Sequence, residues 1–247
     1  MFKHPLILIL LSISCAPLLA DSVSDQLKHA DSYRLAEAES KVELEVKLYR
    51  DNQLDRSKAY TVYMKPQRRS LVLFRAAGEN GQKVLMVDQD FWILMPGTRR
   101  PLRISPMQKL LGDASTGDVA TLTWSEDYKG RLVNADYAGE YCAQQCSQLE
   151  LTSTRKGTTY QRIELWLDAQ DVPVYARLYL LSGRLAKEAR YQLGELNGRA
   201  TITRMTLFDS INTNRRTEIE YRSIQPVEIP DKFYNPVFLL RENLEDW

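Results

Sequence analysis

From Lys41 onward, apolar and charged residues alternate with a period of two. In KVELEVKLY, Val42, Leu44, Val46 and Leu48 alternate with Glu43, Glu45 and Lys47, the pattern of a strand with one face buried. AYTVYMK reads the same way and closes before Pro66, while SLVLFRAA and KVLMVDQ flank GENG, a hairpin signal. FWILMPG follows, then the turn PGTRRP and the polar edge LRIS. Beyond Trp124 the pattern resumes in RLVNADY, EYCAQQCSQLEL, YQRIELWLDA, PVYARLYLL, LAKEARYQLGEL, ATITRMTLFD and TEIEYRSI. Links such as DAQDVP, LSGR and LNGR are hairpin-sized. Parallel neighbours would need long crossovers, so the pattern predicts one antiparallel meander of about eleven strands.

Three segments break the period. Asp21 to Ala38 predicts a short amphipathic helix with Leu27, Ala30 and Leu35 on one side. Ser105 to Trp124 predicts a helical turn or two starting at Pro106, with Met107, Leu110 and Leu111 as its apolar face. A Gly-Asp break and a second short helix with Val119 and Leu122 complete that stretch. The tail, VEIPDKFYNPVFLLREN, reads as an extended segment tucking Phe233 and Phe238 against the sheet. Roughly thirty helical residues are too few to cover one face of so large a sheet, so the sheet must curl on itself. The fold class is therefore mainly β, an unclosed barrel with a short helical lid. Such a shape leaves an apolar cavity suited to a lipophilic ligand. Its candidate lining is Leu44, Val46, Leu48, Val62, Met64, Leu73, Met86, Trp92, Leu94, Leu165 and Leu178, taken as a set, since core packing accounts equally well for any one.

The first twenty residues have a different character. Lys3, the apolar run from Leu6 to Ile13 and the small Ala20 have the layout of a secretory signal peptide, too short to span a bilayer. Cleavage after Ala20 leaves residues 21–247 as one exported domain. Cys15 is the alternative, a lipid anchor, but Ser12-Ile13-Ser14 lacks the usual large aliphatic residue three positions upstream. Beyond residue 20 the charges balance at 32 basic and 32 acidic, which offers no electrostatic footprint for nucleic acid. Export implies an oxidising compartment, so Cys142 and Cys146, in GEYCAQQCSQLEL, are read as a disulfide at a hairpin tip. A zinc site would need further soft ligands, and His29 is the one histidine after residue 20. A hydrolase would rest wholly on that histidine, and no nucleophile-elbow, metalloprotease, Walker or dinucleotide motif is present. The sequence therefore indicates a non-enzyme without cofactor or metal. Arg99, Arg100 and Arg103 form the sharpest charge cluster, readable as a headgroup or partner patch or as a plain polar hairpin tip.

Several stretches together resemble the outer-membrane lipoprotein-sorting family, relatives of the LolA and LolB carriers. Val84 to Ile104 (VLMVDQDFWILMPGTRRPLRI) is similar to the family's aromatic strand, proline turn and basic residues. Gln108 to Tyr128 (QKLLGDASTGDVATLTWSEDY) resembles its Gly-Asp loop and the short helix that follows. IELWLDAQDVPVYARLYLLSGRL and IPDKFYNPVFL continue the likeness in the family's order. The resemblance implies an unclosed barrel of about eleven strands, a helical lid over a hydrophobic cavity, with Met107, Leu110, Leu111, Val119 and Leu122 in the lid by position, and carriage of the acyl chains of a lipoprotein or other lipid through the periplasm. It also implies a monomer that works beside an inner-membrane transporter of the ABC-permease or RND type. The other reading is a non-catalytic sensor or accessory subunit of such a transporter, with the fold used for protein binding. The Cys142–Cys146 pair has no counterpart among the family's motifs.

Overall fold

The structure, a computed structural model, describes residues 16–35, 39–111, 114–119, 123–156, 158–208 and 214–241. Helix α1 (Ala16–Ser32) comes first, followed by strands β1 (Ser40–Arg50), β2 (Gln53–Lys65), β3 (Arg69–Phe74), β4 (Lys83–Val87), β5 (Asp90–Leu94) and β6 (Leu102–Ile104). Small elements follow: β7 (Lys109–Leu111), β8 (Ala114–Ser115), α2 (Thr116–Val119) and α3 (Trp124–Asp127). The second half is β9 (Tyr128–Gly139), β10 (Cys142–Ser153), β11 (Arg162–Leu167), β12 (Pro173–Tyr179), β13 (Leu185–Leu196), β14 (Arg199–Phe208) and β15 (Arg215–Pro226), then α4 (Pro236–Leu239).

Thirteen strands form one antiparallel sheet, ordered β6-β5-β4-β3-β2-β1-β15-β14-β13-β12-β11-β10-β9, and β7 pairs with β8 separately. The antiparallel, unclosed sheet is the predicted one, but the expected count of eleven was too low. The difference lies partly in very short pieces such as β6, three residues long, which carry little periodic signal. Every neighbour in the order is consecutive in sequence except β1–β15, so two meanders meet where the chain's two halves pair. Tight turns supply the links: Asn197 and Gly198, both at positive φ, join β13 to β14.

The alternation fixes which face looks inward. Val42, Leu44, Val46 and Leu48 on β1 join Tyr60 and Val62 on β2, Val72 on β3 and Ile219 on β15 in the main buried cluster. The other side of the central strands is a ladder of charges, with Lys47 to Glu220 at 2.8 Å and Arg222 to Glu45 at 2.7 Å, and needs no cover. Farther along the same outer face, Leu71, Leu73, Leu85 and Leu94 are apolar and are covered by the C-terminal segment through Ile229, Phe233, Tyr234 and Leu239. That segment is not extended as predicted. It makes a 3-10 turn (Asp231–Tyr234) and then α4, whose first turn is capped by the Asn235 side chain accepting from Val237 N and Phe238 N.

Although β6 and β9 remain unpaired with each other, charges tie the two ends of the strand order together. Arg68, in the β2–β3 turn, pairs with the fully buried Asp127 at the end of α3. Arg155, between β10 and β11, stands 3.7 Å from Asp127 and 4.0 Å from Asp88 in the β4–β5 turn. Cys142 and Cys146 form the expected disulfide at the start of β10, against Trp166 and Tyr175 on the outer face.

Candidate functional site: the covered concave face

Two sets of short elements lie over the inward face. The first is α1, which buries Val23, Leu27 and Ala30 in the main cluster. Gly130 on β9 admits it, since a Cβ there would stand 2.7 Å from Val23 Cγ1 and 3.1 Å from Leu27 Cδ1. The far end of the helix is held at β14, where Ile202 N donates to Tyr33 O at 2.7 Å. His29 Nδ1 stands 3.1 Å from Asp171 Oδ2 in the β11–β12 turn, so this histidine fixes the helix in place. Predicted as Asp21 to Ala38, the helix instead ends at Ser32, with Leu35 half-buried beyond it.

The second set is the stretch from β7 to α3. Met107, Leu110 and Val119 all meet the main cluster. The predicted helix over Met107, Leu110 and Leu111 is instead a turn leading into β7. Its local cause is Ser105, whose Oγ accepts from Met107 N at 3.1 Å while its carbonyl accepts from Gln108 N at 2.9 Å, closing the chain into a turn. Leu122 lies outside the described residues. α2 fits closely because Gly117 has no side chain: a Cβ there would overlap the Thr159 hydroxyl and stand 3.1 Å from Pro106 O.

Polar groups hold both sets down. Asp31 at the end of α1 accepts from Trp124 N at 3.0 Å, Ser125 N at 2.8 Å and Ser125 Oγ at 2.8 Å, capping α3. Burial pushes its carboxyl above the ordinary aspartate value despite Arg34 and these donors, which pull the other way. Arg34 in turn lies over the Trp124 ring at 3.7 Å. On α2, Asp118 is the hub. Its carboxylate accepts from Lys187 Nζ at 2.5 Å, Tyr160 Oη at 2.6 Å, Ser115 Oγ at 2.7 Å and Ser115 N at 2.8 Å. Burial opposes its charge, but Lys187, Tyr160 and Ser115 outweigh burial and hold it below the ordinary carboxylate range. The same burial and the adjacent Asp118 push the Tyr160 hydroxyl well up.

A cavity of about 30 Å³ lies between Arg34, Asp118, Trp124, Tyr160, Leu178 and Met205, far below the ~300–1,000 Å³ of a ligand-sized pocket. A larger open groove of about 390 Å³ lies at β1 and β2, but Lys41, Glu43, Glu45, Arg75 and Arg222 line it, unsuited to an acyl chain.

The predicted lining residues divide between the sheet's faces. Leu44, Val46, Leu48, Val62, Leu165 and Leu178 sit in the main inward cluster with Met64 packed against it. Met86 is next to that cluster, with Phe91 and with Ile104, which touches both groups. Leu73, Trp92 and Leu94 point the other way, under the C-terminal cover. Sequence alternation defines two faces but not which of two apolar faces is concave, and β3 to β5 are apolar on both. Arg99 and Arg100 are exposed in the β5–β6 connection, and Arg103 pairs with Asp90 on the neighbouring strand, so this cluster stands outside the covered interior.

Sequence reasoning missed Asp118, Tyr160 and Lys187. A signal existed for the last. In LAKEARYQL, Lys187 shares the register of Ala189 and Tyr191, which face inward, while Glu188 and Arg190 lie on the alternate positions.

Comparisons with known proteins follow this geometry. A family model described as "Uncharacterized protein" matches residues 66–241. No curated protein matches the chain. Among solved structures, a LolA superfamily protein from Nitrosomonas europaea superposes with a TM-score of 0.77 at 27% identity, covering 88% of this chain and 97% of that one. A DUF1329 family protein from Desulfovibrio piger gives 0.68 at 22% identity over 88% and 97% of the two chains. A domain described as an outer membrane lipoprotein-sorting protein from Vibrio parahaemolyticus gives 0.69 at 17% identity over 90% and 100%. The last two are likenesses of fold alone.

Proposed function

Since the chain belongs to the family whose model matches residues 66–241 and is similar along most of its length to a LolA superfamily protein, we propose that it is a periplasmic carrier that takes acyl chains of a lipoprotein or other lipid onto its concave face and passes them between envelope components. The observation that carries this reading is the inward apolar cluster covered by segments too short to be stable alone. α2 and α3 have four residues each, too few to be stable alone, and side-chain contacts seat them on the body of the protein. An acyl chain would replace Met107, Leu110 and Val119 on the same sheet surface. Each methylene it buries contributes about 0.8 kcal/mol, so one long chain can offset the contacts the lid gives up.

In this reading the chain is a single domain after a signal peptide, it has no catalytic role, and it works as a monomer handing cargo to or from an inner-membrane transporter. None of the helices among the described residues is long and apolar enough to cross a membrane. Arg99 and Arg100 are exposed, with the exposed Met95 and Leu102 beside them, and in this reading they would meet a membrane surface or the transporter during the exchange.

The test is native mass spectrometry with lipid extraction on protein purified from the periplasm without detergent. Co-purified lipid or acylated peptide, or uptake of one on incubation with envelope lipids, is the expected result. A protein that stays empty in both conditions overturns the carrier reading in favour of the accessory-subunit one.

A further inference from the structure

An acyl carrier needs only an apolar surface, yet this interior holds a charged amine. Lys187 is on the inward register of β13, opposite Leu178 on β12 and two residues from Ala189, both members of the main apolar cluster. Its side chain is 5% exposed and that of its partner Asp118 is 3% exposed. Its Nζ also stands 5.8 Å from the centre of the Tyr160 ring.

The four donors on the Asp118 carboxylate have two origins. Ser115 N and Ser115 Oγ belong to the lid itself and travel with Asp118. Lys187 Nζ and Tyr160 Oη belong to the body of the protein, on β13 and just before β11. Tyr160 is anchored there, its carbonyl accepting from Tyr128 Oη at 2.9 Å. When the lid lifts, the carboxylate leaves, while the ammonium and the phenol stay among apolar side chains. A desolvated ammonium that loses this carboxylate becomes costlier to keep buried, and an acyl chain brings no charge to replace it. An anionic head attached to that chain does.

We propose that Lys187 and Tyr160 form an anion subsite inside the acyl cavity, filled by the Asp118 carboxylate when the lid is closed and by a phosphate or carboxylate head when cargo is bound. The cargo class is then an anionic amphiphile, and a neutral acyl lipid is discriminated against. Asp118 is the internal competitor, so closing the lid releases the head and entry of the head lifts the lid. This inference rests on the carrier reading and adds the chemistry of the head to it.

The test offers the full protein an equimolar mixture of 1-palmitoyl lysophosphatidate and 1-monopalmitin, which differ only in the phosphate, and reads the ratio of bound masses by native mass spectrometry. The expected wild-type preference for the phosphate is about tenfold to a hundredfold, the worth of a hydrogen bond to a charged group. The double variant Lys187→Met with Asp118→Leu leaves no unpaired buried charge and should bind both lipids without preference. Tyr160→Phe, which keeps the ion pair, should lose part of the preference and serves as the second variant if the first does not fold. Equal binding of the two lipids by the wild type, or a preference that survives in the folded variants, overturns the subsite while leaving the carrier reading intact. Binding of neither lipid overturns the subsite, while the carrier reading falls only if the protein also stays empty with envelope lipids.

Discussion

The sheet carries apolar side chains on both faces, the outer ones at β3 to β5, and a short stretch of chain covers each set, but the two covers are held in different ways. The outer cover, from Ile229 to Leu239, seats Phe233, Tyr234 and Leu239 against Leu71, Leu73, Leu85 and Leu94, and its ion pairs, Asp231 with Lys65 at 2.7 Å and with Arg69 at 2.9 Å, are made by a carboxylate that is 74% exposed. The inner lid also buries apolar groups, but its α2 and α3 are seated through two carboxylates, Asp118 and Asp31, whose partners lie on other elements. Apolar contacts are non-directional and are lost gradually, whereas a buried carboxylate exchanges its partners all at once or not at all. The outer cover is therefore built to stay and the inner lid to switch, and the two differ in what will dislodge them.

Substitutions can break that contrast, and the largest effect is expected at the latch. Lys187→Met strands Asp118 as a buried unpaired charge, a defect worth about 3–5 kcal/mol. The cost should appear as rapid hydrogen exchange confined to residues 108–119, with the amides of 229–239 unchanged. Next comes Leu239→Ala, which leaves a cavity in the outer cover and should lower global stability by about 2–5 kcal/mol in denaturant titration. It should not raise lipid uptake, because the vacated space faces away from the interior. Gly117→Ala should unseat α2 by overpacking against Thr159 and Pro106, about 1–3 kcal/mol, visible as faster lipid uptake in a folded protein.

The smallest effect is the pH response, where the two carboxylates diverge in sign. Asp118 is held below its ordinary value, so its ionised latch contributes fully above an ordinary aspartate value of about 4 and is lost only as pH falls further, through the folded value. Asp31 is raised by burial, so the junction of α1 with α3 is more stable at mildly acidic pH and weakens as pH rises through its folded value. Hydrogen exchange followed from neutral pH down to the ordinary aspartate value of about 4 should therefore slow at residues 124–127, after correction for the intrinsic rate, and leave residues 114–119 unaffected.

Much of this was legible in the chain. Period-two alternation located the strands, short links made them antiparallel, and the shortage of helix required a curled sheet. The inward set on β1 and β2 follows from that alternation, and the C-terminal residues Phe233 and Phe238 do meet the sheet. What could not be read was long-range. Leu73, Trp92 and Leu94 stand in runs that are apolar on both faces, unlike Val46 between Glu45 and Lys47, and only the position of the C-terminal segment decides that they face outward. The latch joins residues 118, 160 and 187, which no local pattern relates. The stretch around Met107 has helical spacing of apolar residues, yet the Ser105 turn and the β7–β8 pairing prevail over it. The clasp of Arg68 on Asp127 was equally invisible, since both residues look like ordinary loop charges in sequence.

The central claim is that acyl cargo lifts the inner lid and leaves the outer cover in place. Hydrogen exchange with mass spectrometry, on the same protein with and without bound 1-palmitoyl lysophosphatidate, tests it most directly. The account predicts faster exchange across residues 108–119 on binding and no change across residues 229–239. Lipid bound with the lid amides as protected as before, or with exchange rising at the outer cover instead, would contradict it.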